Sequence, residues 1–286
     1  MSPLPQGQTL STYIVCKDEA DHIEACLRSV GFSDQIVVVV DSGSTDGTLE
    51  IVARLRNEGL PIELYEREWP GYAAQKQFAL DRCTGDWCLN LDGDETVAED
   101  FADQLSTLLP KFVSADVAGV RLRRRIALYG YGLPPRLVGP YPLLRLVRRG
   151  RARYDQSVLV HERIELTGRQ ITELRLTVHD HRALPVTGQL RKEARYADLK
   201  ARQLAGAGKT WSLFKLLLNP PYAFLRAFVL RRYFLAGQAG FVRAVTIGAY
   251  TFMTEARLRE YCLVRPETDG NTTYEPTPKQ SGRKSV

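Results

Sequence analysis

The chain has no long hydrophobic run of the kind that crosses a membrane. Its longest uncharged run in the C-terminal part, residues 244–254, has 11 residues, whereas a membrane-spanning helix needs about 20. The first ten residues lack the basic start and the apolar stretch of a signal peptide. We therefore expect a protein that acts in the cytoplasm and is not exported.

Paired cysteines are also missing. The cysteines are an odd number, and no two of them have the spacing of a metal-binding Cys-x-x-Cys pair; the five are Cys16, Cys26, Cys83, Cys88 and Cys262. This excludes a disulfide-stapled extracellular scaffold and a zinc site made of cysteine pairs. The thiols are expected to be reduced and partly buried, as in a cytosolic protein.

Basic residues are scarce in the first part of the chain, and acidic residues are scarce in the middle. Residues 1–110 contain 20 acidic and 7 basic residues, whereas the remainder contains 13 acidic and 32 basic ones. Residues 121–153 contain ten arginines and no acidic residue. This asymmetry indicates an acidic catalytic half joined to a half that faces an anionic partner.

Strand and helix patterns alternate through the first half. Apolar stretches at residues 10–16, 36–40 and 62–65, and one that ends at Asp92, predict strands; the segments between them have helical spacing, the first capped by Asp18. The second stretch is uninterrupted, which is typical of a strand buried on both faces. The pattern predicts an α/β fold with a mainly parallel central sheet and flanking helices.

Three polar turns follow predicted strands, at residues 16–19, 41–48 and 92–95. Because ligands bind outside the carboxyl ends of strands in such sheets, these turns predict one site. Asp92 and Asp94 follow a buried strand and would be costly to leave unpaired. A divalent cation, Mg²⁺ or Mn²⁺, would resolve that cost, since hard oxygen ligands suit these metals. Alternatively, the acidic run caps the helix expected from residue 98.

Four ordered motifs resemble the signature of family 2 glycosyltransferases, most closely the lipopolysaccharide-core β-glucosyltransferase subgroup. The resemblance continues through Val160-His-Glu-Arg163 and covers roughly residues 8–262. It implies the GT-A fold of nucleotide-diphospho-sugar transferases, a divalent metal and inversion of the anomeric centre. The motifs are Lys17-Asp-Glu-Ala20, Asp41-Ser-Gly-Ser-Thr-Asp-Gly-Thr48, Gly71-Tyr-Ala-Ala-Gln-Lys76 and Gly85-Asp-Trp…Leu-Asp-Gly-Asp-Glu95.

The resemblance also implies roles for residues within these motifs. Asp41 would read the nucleobase, which fits a carboxylate that can accept a hydrogen bond from a uracil imide. Lys76 and Glu19 would line the nucleotide pocket; the alternatives are a solvated lysine and a carboxylate that stabilises the first turn of a helix. In comparable transferases the second Asp, here Asp94, often binds the metal, while the first, Asp92, contacts ribose or metal-bound water.

Two further features bear on the metal site. His179 and His161 are candidates for a third metal ligand or a diphosphate donor, although a lone histidine is more often structural. Gly93 stands where the subgroup more often has alanine. This departure is mild and should not impair ligation by the neighbouring aspartates.

An inverting transfer needs a carboxylate that accepts the proton of the acceptor hydroxyl as the new bond forms. The resemblance points to Glu162 for this role. A surface ion pair with Arg163 or Arg169 is the alternative for Glu162. Asp155 and Glu95 are the other candidates for the base.

The C-terminal part predicts a membrane-associated extension. Residues 209–259 alternate apolar blocks with basic residues, and Asn219-Pro-Pro221 should break the segment into two or three short helices. Core helices packed on the sheet are the alternative. We expect a catalytic domain at residues 1–190, with a nucleotide-binding half at 8–110 and an acceptor half at 111–190, a basic helical extension at 191–265 and a disordered tail at 266–286.

These inferences combine into one expected function: inverting transfer of a hexose from a nucleotide-sugar, such as UDP-glucose, to a lipopolysaccharide-core or other lipid-linked glycan. The protein should lie on the cytoplasmic face of the inner membrane, bind its anionic surface and not bind nucleic acid, because nucleic-acid-binding signatures are absent. The rivals are a polyprenyl-phosphate glycosyltransferase of the same fold, a nucleotidyltransferase, and an inactive membrane-bound adaptor.

Overall fold

The computed structural model describes residues 4–139, 141–155 and 163–263. Its first half alternates strands and helices, as the sequence pattern predicts. The elements are β1 (Leu10–Cys16), α1 (Ile23–Ser29), β2 (Gln35–Asp41), α2 (Thr48–Asn57), β3 (Ile62–Arg67), α3 (Tyr72–Leu80) and β4 (Trp87–Asp92).

The second half contributes more strands and a single helix before the C-terminal extension. A short strand and a helix come first, and antiparallel and parallel strands then extend the sheet. The elements are β5 (Glu95–Val97), α4 (Phe101–Ser114), β6 (Val117–Ile126), β7 (Tyr141–Arg148), β8 (Ala152–Asp155), β9 (Arg163–Leu166) and β10 (Arg169–Asp180).

The central sheet has eight strands in the order β3-β2-β1-β4-β7-β6-β10-β5. The first four are parallel, β7 is antiparallel to both of its neighbours, β10 is parallel to β6, and β5 closes the edge antiparallel to β10. β8 and β9 form a separate hairpin. Because β1, β2 and β4 run in the same direction, their carboxyl ends meet at one edge of the sheet.

Both faces of the parallel strands are covered, which explains the uninterrupted apolar run of β2. Ile36, Val38 and Val40 pack in the core cluster that includes α1, α2 and α4. Val37 and Val39 pack on the other face, with α3 and Tyr154 of the β8–β9 hairpin. Successive residues of a strand point to opposite faces, so a strand between two helical layers must be apolar throughout.

The capping role expected of Asp18 is wrong. α1 begins at Ile23, and Asp18 lies outside it in the left-handed region at φ 51°. Its carboxylate accepts a hydrogen bond from the backbone N–H of Thr45, 2.9 Å away in the turn after β2. Asp18 therefore ties two turns together instead of starting a helix, a contact between distant segments that local spacing does not encode.

The C-terminal extension is helical, as expected, but its division into short helices is wrong. Residues 213–225 run as one helix through Pro220 and Pro221, and the last helix has 27 residues. A Cβ atom on Gly248 would lie 3.2 Å from the carbonyl oxygen of Pro220, so the last helix packs closely against the proline pair. The elements are α5 (Val186–Gly206), α6 (Leu213–Leu225), a π turn (Arg226–Leu230), a 3₁₀ turn (Tyr233–Ala236) and α7 (Gly237–Leu263).

One stretch is longer and more apolar than a search for uncharged runs predicts. Leu213–Leu230 is long and apolar enough to cross a membrane by length and composition, with a mean hydropathy of 1.3. It contains Lys215 and Arg226, which is why a search for uncharged runs passes over it. The expected boundary at residue 190 falls within α5, and the tail expected at 266–286 lies outside the described residues.

Candidate active site

Hydrogen bonds join the turn after β1 to the turn after β2. The backbone N–H of Glu19 donates to the hydroxyl of Thr48, and that of Ala20 donates to the carboxylate of Asp46, both at 2.8 Å. Asp46 also accepts from the backbone N–H of Thr48 at the start of α2. The Ser, Thr and Asp residues of the 41–48 motif therefore connect two loops of the predicted site.

Asp41 ends β2 as a buried carboxylate with a cation beside it. Its Oδ2 lies 2.6 Å from Nζ of Lys17, and its Oδ1 accepts a hydrogen bond from the backbone N–H of Gly43 at 3.0 Å. Lys17 and Gly43 together hold the pKa of Asp41 below its ordinary value. Because α2 starts seven residues later and Asp46 serves its first turn, Asp41 is not its cap and can face a nucleobase.

Asp92, at the end of β4, lies between two cations. Its Oδ1 is 2.8 Å from Nζ of Lys76 on α3, and its Oδ2 is 2.8 Å from a guanidinium nitrogen of Arg145 on β7. Burial opposes its ionisation, but Arg145 and Lys76 outweigh this and hold the pKa of Asp92 well below its ordinary value. The side chain of Lys76 is 3% exposed, which rules out the alternative of a solvated surface lysine.

Glu95 is fully buried beneath Asp92. Its Oε1 lies 2.7 Å from Arg145 and 2.9 Å from Arg124, and its Oε2 accepts a hydrogen bond from the backbone N–H of Asp92. Burial raises the pKa of Glu95 to about 7, against the opposing effect of the arginines. A carboxylate held in this way supports the acidic motif from below, so we do not retain Glu95 as a candidate base.

Sequence reasoning did not assign Arg145, although its pattern gives a signal. Arg145 lies in the otherwise apolar segment Leu143-Leu-Arg-Leu-Val147 of β7, and its side chain is 7% exposed. It donates to Asn90, Asp92 and Glu95 at 2.6–2.8 Å. A lone charge inside an apolar strand must be paired when it is buried, so this pattern predicts a carboxylate partner across the sheet.

Asp94 and Glu19 share one arginine at the mouth of the site. Nε of Arg182 lies 2.8 Å from Oδ2 of Asp94, and the same guanidinium donates to Glu19. Burial raises the pKa of Glu19, and Arg182 opposes that shift. Glu19 precedes α1, which begins at Ile23, so the alternative role in the first turn of the helix is wrong. Arg182 follows β10 and was not anticipated from the sequence.

The residues around Asp94 fit a divalent metal. Asp94 and Glu19 supply carboxylate oxygens, and Oε2 of Glu19 is buried without a hydrogen-bond partner among the described residues. Magnesium-type ions are commonly held by one or two carboxylates together with substrate phosphates and water. Within the described segments, no group of three His, Cys, Asp or Glu side chains forms a preformed metal cluster.

The side chain of His179 contacts a cation, Arg125, and is not grouped with the aspartates of the acidic motif. It pairs with Thr96 of β5 and with Arg125 of β6, and its Nε2 is 3.3 Å from Arg125. The next residue, Asp180, pairs with Glu95 and points to the opposite face of the sheet. Burial and the neighbouring Arg125 lower the pKa of His179 to about 4. We therefore leave His179 out of the proposed metal site.

The low pKa of His179 predicts a pH dependence of stability. Unfolded histidine binds a proton near pH 6.5, whereas folded His179 does so near 4, so stability falls as the pH drops through this range. His179→Gln should reduce the loss between pH 6.5 and 4.5 by about 1–2 kcal/mol, allowing for partial exposure. Denaturant unfolding of both proteins at the two pH values measures this. Equal losses would contradict the assignment.

The remaining candidates lie at or beyond the limits of the described residues. Glu162 and His161 are outside them. Asp155 is the last residue of β8 and pairs in register with Arg163 at the start of β9. The two strand ends flank the segment 156–162 that contains Glu162, so the assignment of the base to Glu162 stays a prediction.

Comparison with known proteins identifies the family. The model of glycosyl transferase family 2 matches residues 11–164. The chain belongs to this family. It is 38% identical over 264 residues to the lipopolysaccharide core biosynthesis glycosyltransferase LpsC of Rhizobium meliloti (strain 1021), covering 91% of this chain and 96% of the relative. It is 28% identical to the uncharacterized glycosyltransferase RP128 of Rickettsia prowazekii (strain Madrid E), covering 89% and 88%.

The solved structures confirm the fold. The mannosyltransferase PcManGT from Pyrobaculum calidifontis, solved in complex with GDP-Man and Mn²⁺, matches with a TM-score of 0.56 at 18% identity, covering 90% of this chain and 89% of that one. This family 2 glycosyltransferase therefore has the GT-A fold expected from its motifs, with a C-terminal helical extension.

Proposed function

We propose that this glycosyltransferase transfers a hexose from a nucleotide-sugar, UDP-glucose or a close relative, to a lipopolysaccharide-core or other lipid-linked glycan, with inversion at the anomeric carbon. The observation that carries the proposal is the meeting of Asp41, Asp92 and Asp94 at one edge of the sheet. LpsC, similar over nearly its whole length, is a lipopolysaccharide core biosynthesis enzyme by name, which supports this class of acceptor.

The donor would lie along the edge formed by β2, β1 and β4. Asp41, which Lys17 and Gly43 keep ionised, accepts a hydrogen bond from the base. Asp92 is held in place by Lys76 and Arg145, which orients it toward the ribose or toward water. Lys76 and Arg182 also place positive charge near the departing diphosphate, where it favours charge separation.

Asp94 and Glu19 are the residues that would hold a divalent ion, Mn²⁺ or Mg²⁺. When bound there, such an ion would supply positive charge to neutralise the charge that develops on the diphosphate. Mn²⁺ accompanies GDP-Man in the PcManGT structure, which supports a divalent metal for the same fold. To bind the ion, Asp94 would have to give up its ion pair with Arg182. Its carboxylate would then contact the metal that accompanies the donor.

The basic extension supports a location on the cytoplasmic face of the inner membrane. α6 and the turn after it expose many large apolar side chains next to arginines, a combination typical of segments that bind an anionic bilayer surface. A polyprenyl-phosphate acceptor is the second candidate, because it would use the same membrane surface. Transfer to lipid phosphate compared with core oligosaccharide separates the two.

Calorimetric titration of UDP, GDP and dTDP, with Mn²⁺ and with a chelator, tests the proposal. We expect selective binding of UDP that depends on the metal. Binding of none of the three would overturn the transferase proposal and favour a membrane-bound adaptor. Selective binding of GDP or dTDP would keep the transferase class and change the donor.

Glu162→Gln tests the assignment of the general base. We expect the variant to bind UDP with Mn²⁺ as the wild type does, while transfer falls by about 10²–10⁴-fold, since the acceptor hydroxyl loses its proton acceptor. Single-turnover transfer from a radiolabelled donor measures this. Asp155→Asn tests the other candidate base in parallel and should stay active if Glu162 is the base, whereas a fully active Glu162→Gln variant would move the base elsewhere.

A further inference from the structure

The cations of the C-terminal helices differ in whether a carboxylate pairs with them. Arg243 lies 2.9 Å from Glu193, and Arg257 lies 2.5 Å from Asp198; both pairs join α7 to α5. Within the described part of the chain, no carboxylate forms an ion pair with the four cations of α6 and the turns after it. These are Lys215, Arg226, Arg231 and Arg232. Uncompensated positive charge is therefore concentrated around α6.

The same region exposes a large apolar surface. Phe214 is 78% exposed and Leu230 is 71% exposed, the two highest values among the large apolar side chains of the described residues. The other large apolar side chains exposed between residues 213 and 230 are Leu213, Leu217, Leu218, Tyr222, Leu225 and Val229. We refer to these eight side chains as the α6 surface.

A cavity of about 350 Å³ opens beside the α6 surface, between α6, the turn after it and α7. Tyr222 and Arg226 line it, and they follow Leu218 at steps of four residues along one face of the helix. The mouth of the cavity is therefore continuous with the exposed apolar side chains. Its polar lining consists of Asn219, Tyr222, Arg226, Arg231, Tyr250 and Thr251.

The two arginines of this cavity differ in how they are held. The guanidinium of Arg231 lies over the ring of Tyr141, 4.3 Å from its centroid, and donates to the hydroxyl of that tyrosine. Among the described residues, the side chain of Arg226 has neither a hydrogen bond nor an ion pair. The carboxylate of Glu255 accepts a hydrogen bond from Asn219 in the cavity wall at 2.9 Å. It offsets part of the charge of the two lining arginines, and the net charge around the cavity stays positive.

We propose that this cavity binds the phosphate group of an anionic lipid while the α6 surface rests in the membrane interface. Arginine donates paired hydrogen bonds to phosphate oxygens, and the positive charge of the two arginines exceeds the negative charge of the nearby Glu255 carboxylate. Free phosphate carries the same charge, but it gains nothing from the adjoining apolar surface. This continuity between the cavity and the α6 surface is why the inference commits to a lipid.

The site has a direct connection to the catalytic edge. Tyr141, which holds Arg231, is the first residue of β7, and Arg145 lies on the same strand about 13 Å away at the rise of an extended chain. A lipid held at the cavity would therefore keep the membrane surface close to the proposed active site. The inference rests on the proposed membrane association.

Vesicle co-sedimentation of the full-length chain tests the site. Phosphatidylcholine vesicles with and without phosphatidic acid are compared for the wild type and for Arg226→Gln/Arg231→Gln. The control is Lys215→Gln/Arg232→Gln, which removes the same charge outside the cavity. We expect the cavity variant to lose about tenfold more binding to phosphatidic acid vesicles than the control, because it loses hydrogen bonds to phosphate as well as charge.

Each other outcome has a distinct meaning. Equal losses in the two double variants would overturn the site and leave general charge attraction. Arg226→Gln alone, which removes no internal contact, should give part of the loss and guards against a folding defect. If the chain binds inorganic phosphate in solution but binds vesicles with and without phosphatidic acid equally, the ligand is free phosphate and the lipid assignment is wrong. UDP binding with Mn²⁺ is measured in parallel, so failure of the proposed enzyme function is seen separately.

Discussion

Asp94→Asn is expected to abolish metal-dependent nucleotide binding and to lower transfer by about 10²–10³-fold or more, the effect of losing one key electrostatic group in a site of this kind. Asparagine keeps the shape of the side chain but removes the charge that a divalent ion needs. The fold should be unaffected, because Arg182 is 41% exposed and keeps its contact with Glu19. An exposed ion pair contributes about 1 kcal/mol or less to stability.

Calorimetry with UDP and Mn²⁺ separates this effect from a loss of structure. Asp116→Asn is the matched control, since Asp116 also pairs with arginines but is 66% exposed and lies far along the chain from the motif. The control should bind and transfer normally. Normal binding of UDP and Mn²⁺ by Asp94→Asn would mean that Asp94 is not a metal ligand.

The difference between Asp94 and Asp92 comes from the cations that surround them. Asp92 is held by Lys76 and Arg145, both almost fully buried, whereas Asp94 is held by Arg182 at the mouth of the site. An exposed guanidinium can move away at small cost, and a buried one cannot. The acidic motif of this chain therefore combines one aspartate that two buried cations hold in place with one that pairs with a more exposed arginine.

The parallel half of the fold and the place of its strand-end aspartates could be predicted from the sequence because their signals are local. A continuous valine run identifies β2, and Asp41 and Asp92 follow directly from the ends of their strands. Gly93 could not be understood in the same way. A Cβ atom there would lie 2.9 Å from Cγ of Glu19, so glycine at this position reflects a contact across the site that the spacing of the motif does not reveal.

The residues that sequence reasoning missed are those whose partners lie far along the chain. Arg182 meets Glu19 across 163 residues of sequence, and no local pattern marks it as part of the site. His179 was chosen for its chemistry, yet strand alternation turns it to the face opposite Asp180. The helix through Pro220 persists because Gly248 lets α7 approach it, again a tertiary effect that overrides the local tendency of proline.

Arg145→Met is expected to destabilise the protein by about 3–5 kcal/mol, the usual cost of leaving a buried charge without its partner. Methionine fills similar volume, so the loss comes from the stranded carboxylates. Glu95 is fully buried and, in the described part of the chain, would keep an ion pair only with Arg124. Asp92 would keep an ion pair only with Lys76 in the same part of the chain. Thermal unfolding should show a fall in Tm of roughly 10 °C.

A matched arginine and a pH series distinguish this account from a packing defect. Arg148→Met, on the same strand, removes a pair with the exposed Asp116 and should cost about 1 kcal/mol or less. Without Arg145, the pKa of Glu95 should rise above its value of about 7, so the folded variant takes up a proton that the unfolded chain binds only near pH 4.5. The destabilisation should therefore be smaller at pH 5.5 than at pH 8.

Adding Glu95→Gln to Arg145→Met should restore part of the stability at pH 8, because it removes the buried charge that Arg145 compensates. A pH-independent loss with no rescue by Glu95→Gln would show that Arg145 acts through packing alone.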